Sequence, residues 1–207
     1  MSLALLSRQV APARRLLHET SPSPEIWSLD ALLGRFVELS GGPATAALTT
    51  AAQLIAEAQR RHELAAWVGN RDYTFYPPDF AAAGIDLDAL PVVHAPEARK
   101  AARAADALIR SGGFALVILD LGNVELPMPV QTRLVGLAKK HHTALVSLTR
   151  RDADVVPLGS LVSIRGETEK ERAGFDAFTC TLHILKDKRH TPGRIHVEIS
   201  HGTDGLY

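Results

Sequence analysis

Compact apolar runs alternate with amphipathic segments over most of the chain. Between residues 35 and 148, runs of strand length alternate with segments in which apolar residues recur at helical spacing. The predicted buried strands are residues 35–39, 64–68, 90–93, 114–119 and 144–148. The predicted helices are residues 45–61, 96–111 and 130–141, with a short helical turn at 79–83. Strands that alternate with helices predict a parallel sheet covered on both faces.

The pattern changes towards the C-terminus, where apolar and polar residues alternate with a period of two. This alternation is typical of antiparallel strands, here predicted at residues 161–165, 177–185 and 195–200. The apolar positions share one face of each of the last two strands: Cys180, Leu182 and Ile184, then Ile195, Val197 and Ile199. We therefore predict an α/β fold, with a mostly parallel sheet flanked by helices and antiparallel C-terminal strands.

The first 24 residues are a separate unit of the predicted architecture. Leu6, Val10 and Leu17 recur at helical spacing on one face, which predicts an amphipathic helix that docks on a partner or covers the core. Arginine enrichment with Glu19 as the one acid of residues 1–19 also resembles an organelle targeting segment, but we favour the docking helix. Two prolines and two serines in residues 20–24 then predict a linker. The predicted domains are residues 1–24, helix and linker, and residues 25–207, the core.

Composition excludes several classes of function. Lys and Arg together number 23, as do Asp and Glu, so the 207-residue chain has no global field that attracts nucleic acid or an acidic membrane. Any DNA contact is therefore expected to be weak or indirect. The single cysteine, Cys180, excludes an internal disulfide and fits a reducing cytoplasm. No apolar run reaches the roughly 18 residues that a membrane span needs, so a cytoplasmic protein is expected.

The most informative segment is RFVELSGGPATAALTTAAQLIAEAQ, residues 35–59, in which a predicted strand leads through a glycine turn into a helix. A working phosphate loop has the pattern G-x-x-x-x-G-K-[ST], whose amides and lysine hold phosphates and whose hydroxyl holds magnesium. Counted from Gly41, the second glycine, the lysine and the hydroxyl are replaced by Ala46, Ala47 and Leu48. Since phosphoryl transfer depends on positioning and electrostatic stabilisation, we predict no catalytic residue, no cofactor and no enzymatic activity.

A phosphate-binding loop shifted along the chain is the alternative for this segment. Thr49 and Thr50 follow one and two positions too late, and a slipped loop could present one of them. An ATPase with such a loop, or residual ATP binding, is therefore left open.

The same segment, extended to Gly34, resembles without a gap the phosphate-loop segment of the bacterial recombinase RecA. The likeness continues at residues 83–90, 107–112, 186–188 and 198–202, and in the strand that ends at Asp120. It therefore covers most of residues 30–207. Within the RecA-like superfamily, the small size and the missing lysine are most similar to ImuA.

This resemblance implies a non-enzymatic adaptor of the damage-induced (SOS) translesion-synthesis mutasome, acting through protein–protein contacts. The partners it implies are an ImuB-like homologue of Y-family polymerases, an error-prone replicative-type polymerase, and RecA itself. Self-association into a homo-oligomer is left open. A SulA-like inhibitor of cell division, which binds the tubulin-like division protein, is the alternative from the same superfamily.

Departures from RecA also bear on function. Asp120 falls where a carboxylate would support magnesium, and without a phosphate grip we expect it to be structural. The loops that contact DNA in RecA are compressed here into residues 121–129 and 151–159. A short loop has little backbone to wrap a nucleic-acid strand, which disfavours a filament on DNA.

A charged pair near the C-terminus completes the candidate partner-binding residues. Lys186 and Lys188 resemble the lysine pair with which RecA reaches a neighbouring subunit, and a charged hairpin turn is the alternative. Together with the apolar face of the N-terminal helix, they are the residues that we expect to contact partners.

Histidines in the same region raise the question of a metal. His183 and His196 are expected on the outward face of paired strands, with Glu198 two residues further on. No clustered cysteines and no HExxH spacing accompany them, so no metal site is predicted.

Overall fold

The computed structural model describes residues 27–42, 45–69, 75–150, 158–175, 177–190 and 192–201. Its helices are α1 (Leu29–Leu32), α2 (Ala47–Arg60), α3 (Pro77–Ala82), α4 (Ala98–Ser111) and α5 (Met128–His141). Its strands are β1 (Phe36–Ser40), β2 (Leu64–Gly69), β3 (Val92–His94), β4 (Phe114–Gly122), β5 (Ala144–Thr149), β6 (Ile164–Arg172), β7 (Ala177–Asp187) and β8 (Ile195–His201). Each strand and helix predicted between residues 35 and 148 is present, with shifted ends.

The described strands form one sheet in the order β3-β2-β4-β5-β1-β6-β7-β8. The strands from β3 to β6 are mutually parallel, whereas β7 runs antiparallel to both β6 and β8. This arrangement confirms the predicted α/β fold class. The three strands β6, β7 and β8 are called the antiparallel lobe below.

Two apolar cores lie on opposite faces of the sheet. On one side, here called the α2 face, helices α1, α2 and α3 pack against strand residues such as Leu39 and Ile118. On the other, the α4 face, helices α4 and α5 pack against residues such as Phe36 and Leu119. Because both faces of its central strands are buried, this part of the sheet has continuous apolar runs instead of alternation.

The two helices of the α4 face each end at a residue whose backbone is in the left-handed conformation. Gly112 caps α4 with φ 72°, a conformation that costs glycine little. His142 caps α5 with φ 55°, after Lys139, Lys140 and His141 in the last turn, where positive side chains suit the helix dipole. Both ends lie where the sequence places them.

The antiparallel lobe departs most from the sequence prediction. The strand expected at residues 161–165 is β6, which begins at Ile164 and continues to Arg172. It pairs parallel with β1, where Val37 faces Ile164, as well as antiparallel with β7. The second half of β6 is rich in charged residues because one of its faces is open to solvent. It has no apolar run, so the hydrophobic pattern did not predict it as a strand.

The two faces of β7 and β8 differ sharply in burial. Cys180, Leu182 and Ile184 are buried on the α2 face, as expected from their shared position. Register places the shared row of β8, Ile195, Val197 and Ile199, on the opposite face, where all three are exposed.

The prediction that His183 and His196 share an outward face is wrong. His183 lies opposite Ile195, and His196 lies opposite Leu182, so the two imidazoles are on different sides of the sheet. A bulge explains the shift: Gly193, with φ 86°, donates its N–H to the Ile184 carbonyl, and Arg194 O accepts from Ile184 N–H. One extra residue in a strand changes which face every following side chain takes.

The predicted N-terminal helix and linker, residues 1–24 with Leu6, Val10 and Leu17, lie outside the described residues. Within the described part of the chain, no helix is both long and apolar enough to cross a membrane.

Candidate functional site

The turn after β1 is closely packed around Gly41. A Cβ at this position would lie 2.3 Å from Thr45 Oγ1 and 2.7 Å from the Thr168 carbonyl oxygen. Real Cβ atoms do not approach other atoms so closely, so the turn requires glycine. The side chain of Thr45 occupies the space that glycine leaves open.

Thr45 also links the helix start to β6. Its Oγ1 lies 2.7 Å from Thr168 Oγ1 and accepts a hydrogen bond from the Ala47 N–H at 3.1 Å. Thr168 Oγ1 in turn donates to the Ser40 carbonyl at 3.2 Å. The N–H groups at a helix start can bind a phosphate only if they are open to it. Here the first amide of α2 is satisfied by the chain's own hydroxyl.

Besides Gly41, the three positions that replace the second glycine, the lysine and the hydroxyl of the phosphate-loop pattern face the protein interior. Ala46 and Ala47 are 1% and 6% exposed, and Leu48 packs against the core of the α2 face. One hydroxyl that a displaced phosphate-binding loop would use is engaged as well, because Thr50 Oγ1 donates to the Ala46 carbonyl at 3.0 Å.

Asp120 lies at the same end of the sheet as this turn. It is buried and pairs with Gly69 of β2 and Leu148 of β5. Because it is two residues after Ile118 in β4, its side chain lies on the same face of the sheet as Ile118, the α2 face. Asp120 and the turn at Gly41 therefore lie at the same end of the sheet, and Asp120, Ala46 and Ala47 are all buried.

Lys186 and Lys188 lie at the opposite end of the sheet. Lys186 is the last residue but one of β7 and donates to the Ser160 carbonyl at 3.4 Å, while Lys188, just after the strand, donates to the Leu161 carbonyl at 3.4 Å. Burial lowers the pKa of Lys186. Strand β1 spans about 16 Å at roughly 3.3 Å per residue, so the lysine pair and the turn at Gly41 are two separate regions of the surface.

Between the two lysines, Asp187 forms an ion-pair network that the sequence did not indicate. Its carboxylate accepts from Arg35 Nη2 at 2.5 Å, from Arg194 Nη2 at 2.9 Å and from the Arg189 N–H at 2.9 Å, and lies 3.0 Å from His190 Nδ1. Burial alone would raise the pKa of Asp187. The hydrogen bonds from Arg189, Arg35 and His190 outweigh it and lower the pKa to about 2.

A second buried carboxylate was also missed. Glu38, in the middle of β1, is fully buried. It accepts from Thr149 Oγ1 at 3.2 Å and from the Leu158 N–H at 3.3 Å, with Arg165 Nε 3.9 Å away. An acid inside an otherwise apolar strand was the available signal. Its contacts hold the segment before β6 against the α4 face, which is a structural role.

The histidines and acids of the lobe form pairs. His196 Nε2 lies 3.1 Å from Glu198 Oε1, and His183 Nε2 lies 3.9 Å from Glu169 Oε2. Over the residues whose positions are described, no group of three or more His, Cys, Asp and Glu could hold a metal ion.

The sheet order, with a glycine turn from β1 into α2 and an acid at the end of β4, defines a RecA-like α/β protein. The chain is 38% identical to RecA of Corynebacterium jeikeium over 87 residues, which are 42% of this chain and 23% of that protein. It is 30% identical to RecA of Salinispora arenicola over 128 residues, 56% of this chain and 36% of that protein. The matched stretch therefore spans about a quarter to a third of these relatives' length.

A family model also matches the chain. The model of the MT3502 N-terminal domain matches residues 34–153, and the chain belongs to that family. The match begins one residue before Arg35 and ends just after β5. It covers the turn after β1 and the end of β4, whereas the antiparallel lobe lies beyond it.

Proposed function

We propose that the protein is a non-enzymatic RecA-like adaptor of the SOS translesion-synthesis mutasome, acting in the cytoplasm through protein–protein contacts, as ImuA does. Its proposed partners are an ImuB-like homologue of Y-family polymerases, an error-prone replicative-type polymerase, and RecA. The similarity to RecA supports the DNA-repair context of this proposal.

The observation that carries the proposal is the filled start of α2. A nucleotide would need the space that Thr45 occupies beside Gly41, and it would compete with Thr45 Oγ1 for the Ala47 N–H. A lysine at Ala47 would be buried, because this residue is 6% exposed. The scaffold thus keeps the architecture of a nucleotide site with the chain's own atoms inside it, which favours a binding protein over an ATPase.

The short connection between β4 and α5 supports the same conclusion. Strand β4 ends at Gly122 and helix α5 starts at Met128. In RecA this region carries a loop that contacts DNA, and the connection here is too short to wrap a strand. We therefore propose that DNA is reached weakly or through the partners.

Calorimetric titration with magnesium-ATP tests the absence of an enzyme site. We expect no saturable heat, whereas RecA titrated in parallel binds. Micromolar binding of magnesium-ATP would contradict the proposal and favour the alternative of a displaced phosphate-binding loop.

The N-terminal segment is the proposed docking element. Full-length protein and residues 25–207 would be compared for capture of the ImuB-like partner, together with a variant carrying Leu6→Glu, Val10→Glu and Leu17→Glu. We expect both changes to weaken capture at least about tenfold, because an apolar helix face supplies most of its docking energy. The control variant Arg8→Ala/Arg15→Ala alters the other face and should bind normally. Unchanged capture after deletion excludes the segment as the docking element.

Overexpression separates the adaptor from the SulA-like alternative. An adaptor leaves division rings assembled, whereas filamentous cells without rings would favour an inhibitor of the division protein.

A further inference from the structure

The two edges of the sheet differ in length and in what they expose. Strand β3, at one edge, has three residues. Strand β8, at the other edge of the described sheet, has seven, and its Ile195, Val197 and Ile199 are 55%, 56% and 66% exposed. A long apolar edge strand is a template for pairing with another strand.

The bulge at Gly193 determines which backbone groups of β8 are open. Ile184 N–H donates to the Arg194 carbonyl at 2.8 Å, so Arg194 turns its polar backbone groups towards β7. Antiparallel ladders alternate, and residues 196, 198 and 200 therefore also face β7. The N–H and C=O groups of Ile195, Val197 and Ile199 point to the outer edge.

Strand β8 lacks most of the features that prevent edge pairing. Monomeric proteins place lysine, proline, a bulge or an inward charge on such edges. The inward acid of β8, Glu198, is balanced by His196, whose Nε2 lies 3.1 Å from Glu198 Oε1. The segment Ile195-His-Val-Glu-Ile-Ser200 has no lysine, arginine, proline or glycine. Its bulge lies before the exposed row and leaves that row regular.

The segment is complementary to itself when it is reversed. In an antiparallel pair centred on Val197, Ile195 lies opposite Ile199 on the open face. On the other face, His196 lies opposite Glu198 in both directions. Apolar and opposite-charge cross-strand pairs of this kind each stabilise a sheet, and a two-fold axis requires such self-complementarity.

We propose that β8 pairs with β8 of a second copy of this chain about a two-fold axis at Val197, which joins the two sheets into one. The outward N–H and C=O of Val197 then bond to the partner's Val197. Six apolar side chains form one ladder on the open face. The inference does not depend on the proposed adaptor function, because it uses only the edge strand.

Sedimentation of the full chain over a concentration series tests the interface. We expect a monomer–dimer equilibrium. Val197→Lys places two lysines directly opposite each other at the axis, with their Cα atoms about 5.5 Å apart, and should weaken the dimer on the order of a hundredfold. Val92→Lys is the matched control, because it makes the same substitution at an exposed valine of the other edge strand. It should leave the dimer affinity unchanged. A monomeric wild-type chain, or a dimer that Val197→Lys leaves intact, overturns the proposal.

Charge-changed variants test the register and leave the apolar row untouched. His196→Glu puts glutamates opposite each other twice and should weaken self-association about tenfold. Glu198→His puts histidines opposite each other and should also weaken it. Mixing the two variants restores every His–Glu pair, so a heterodimer should form more tightly than either homodimer. If the mixture associates no more tightly than the separate variants, the proposed register is wrong. If deletion of residues 1–24 alone abolishes the dimer, the interface is not β8.

Discussion

The parallel half of the sheet and the antiparallel lobe are stabilised in different ways. Strands β2, β4, β5 and β1 carry helices on both faces, and their side chains are almost wholly buried in two apolar cores. The lobe is covered on the α2 face, while its other face carries exposed Ile195, Val197 and Ile199. The lobe joins the rest through the β1–β6 ladder and the apolar contacts of Leu182 and Ile184 on the α2 face, together with the buried Arg35–Asp187 pair and the close approach of strands at Gly166. We infer that damage at this junction loosens the lobe before it affects the parallel half.

The largest expected effect is that of Asp187→Asn. Arg35 has a side-chain exposure of 2%, and removing its carboxylate leaves a buried guanidinium without a counter-charge. Breaking a buried pair from one side costs about 3–5 kcal/mol. Urea unfolding at pH 7 measures the loss. Hydrogen exchange should show faster exchange in β7 and β8 than in β2 and β4.

Asp30→Asn is the matched control for this change. Asp30 pairs with Arg61 at 2.6 Å, but its side chain is 67% exposed. Exposed pairs add little to stability, so we expect no measurable change. If the two variants unfold alike, the junction network has no special role.

Gly166→Ala is expected to have the next largest effect. A Cβ at Gly166 would lie 2.4 Å from Leu182 Cδ1 and 3.2 Å from Leu39 Cδ2, between the lobe and the parallel strands. Such overpacking costs about 1–3 kcal/mol. Gly136→Ala in α5 is the control, since a Cβ there meets nothing within 4 Å. It should stabilise the protein by about 0.5–1 kcal/mol, because alanine favours a helix. Destabilisation by both changes would contradict the packing argument.

The smallest expected effect is a loss of folding stability at acidic pH. The pKa of Asp187 falls from 3.8 to about 2 on folding, so its contribution to stability is present above the unfolded pKa and is lost as pH falls towards 2. Between pH 7 and pH 3 the loss amounts to about 1 kcal/mol. Comparing the urea midpoints of wild type and Asp187→Asn at both pH values isolates this contribution. The difference between the two proteins should shrink at pH 3, and a constant difference would exclude the linkage.

The sequence predicted the parallel half well because its strands are buried on both sides. Predicted strand 64–68 is β2 at Leu64–Gly69, and predicted strand 144–148 is β5 at Ala144–Thr149. Helix α4 ends at Ser111, as the predicted helix 96–111 does, and Gly112 caps it in the left-handed conformation. Apolar runs and glycine caps are local signals, and the chain follows them here.

The lobe and the site details were harder to predict, since they depend on contacts distant in sequence. Nothing local shows that Glu167–Arg172 is a strand, because its pairing with β7 defines it. The bulge at Gly193 reversed the predicted face of His196. The replacements at Ala46, Ala47 and Leu48 were visible in the sequence. That Thr45 fills the space beside Gly41 was not, since it requires Thr168 on a strand formed much later in the chain.

The position of β1 has a consequence for synthesis on the ribosome. Its sheet neighbours are β5 and β6, with Phe36 facing Leu145 and Val37 facing Ile164. Arg35 precedes its counter-charge by 152 residues, which at bacterial elongation rates is a delay of roughly 8–30 s. Strand β1 is therefore the first of the described strands to be made, and both of its sheet neighbours are made more than 100 residues later. A nascent chain stalled before residue 164 leaves β1 without its partner β6, and that edge is open to chaperones and proteases.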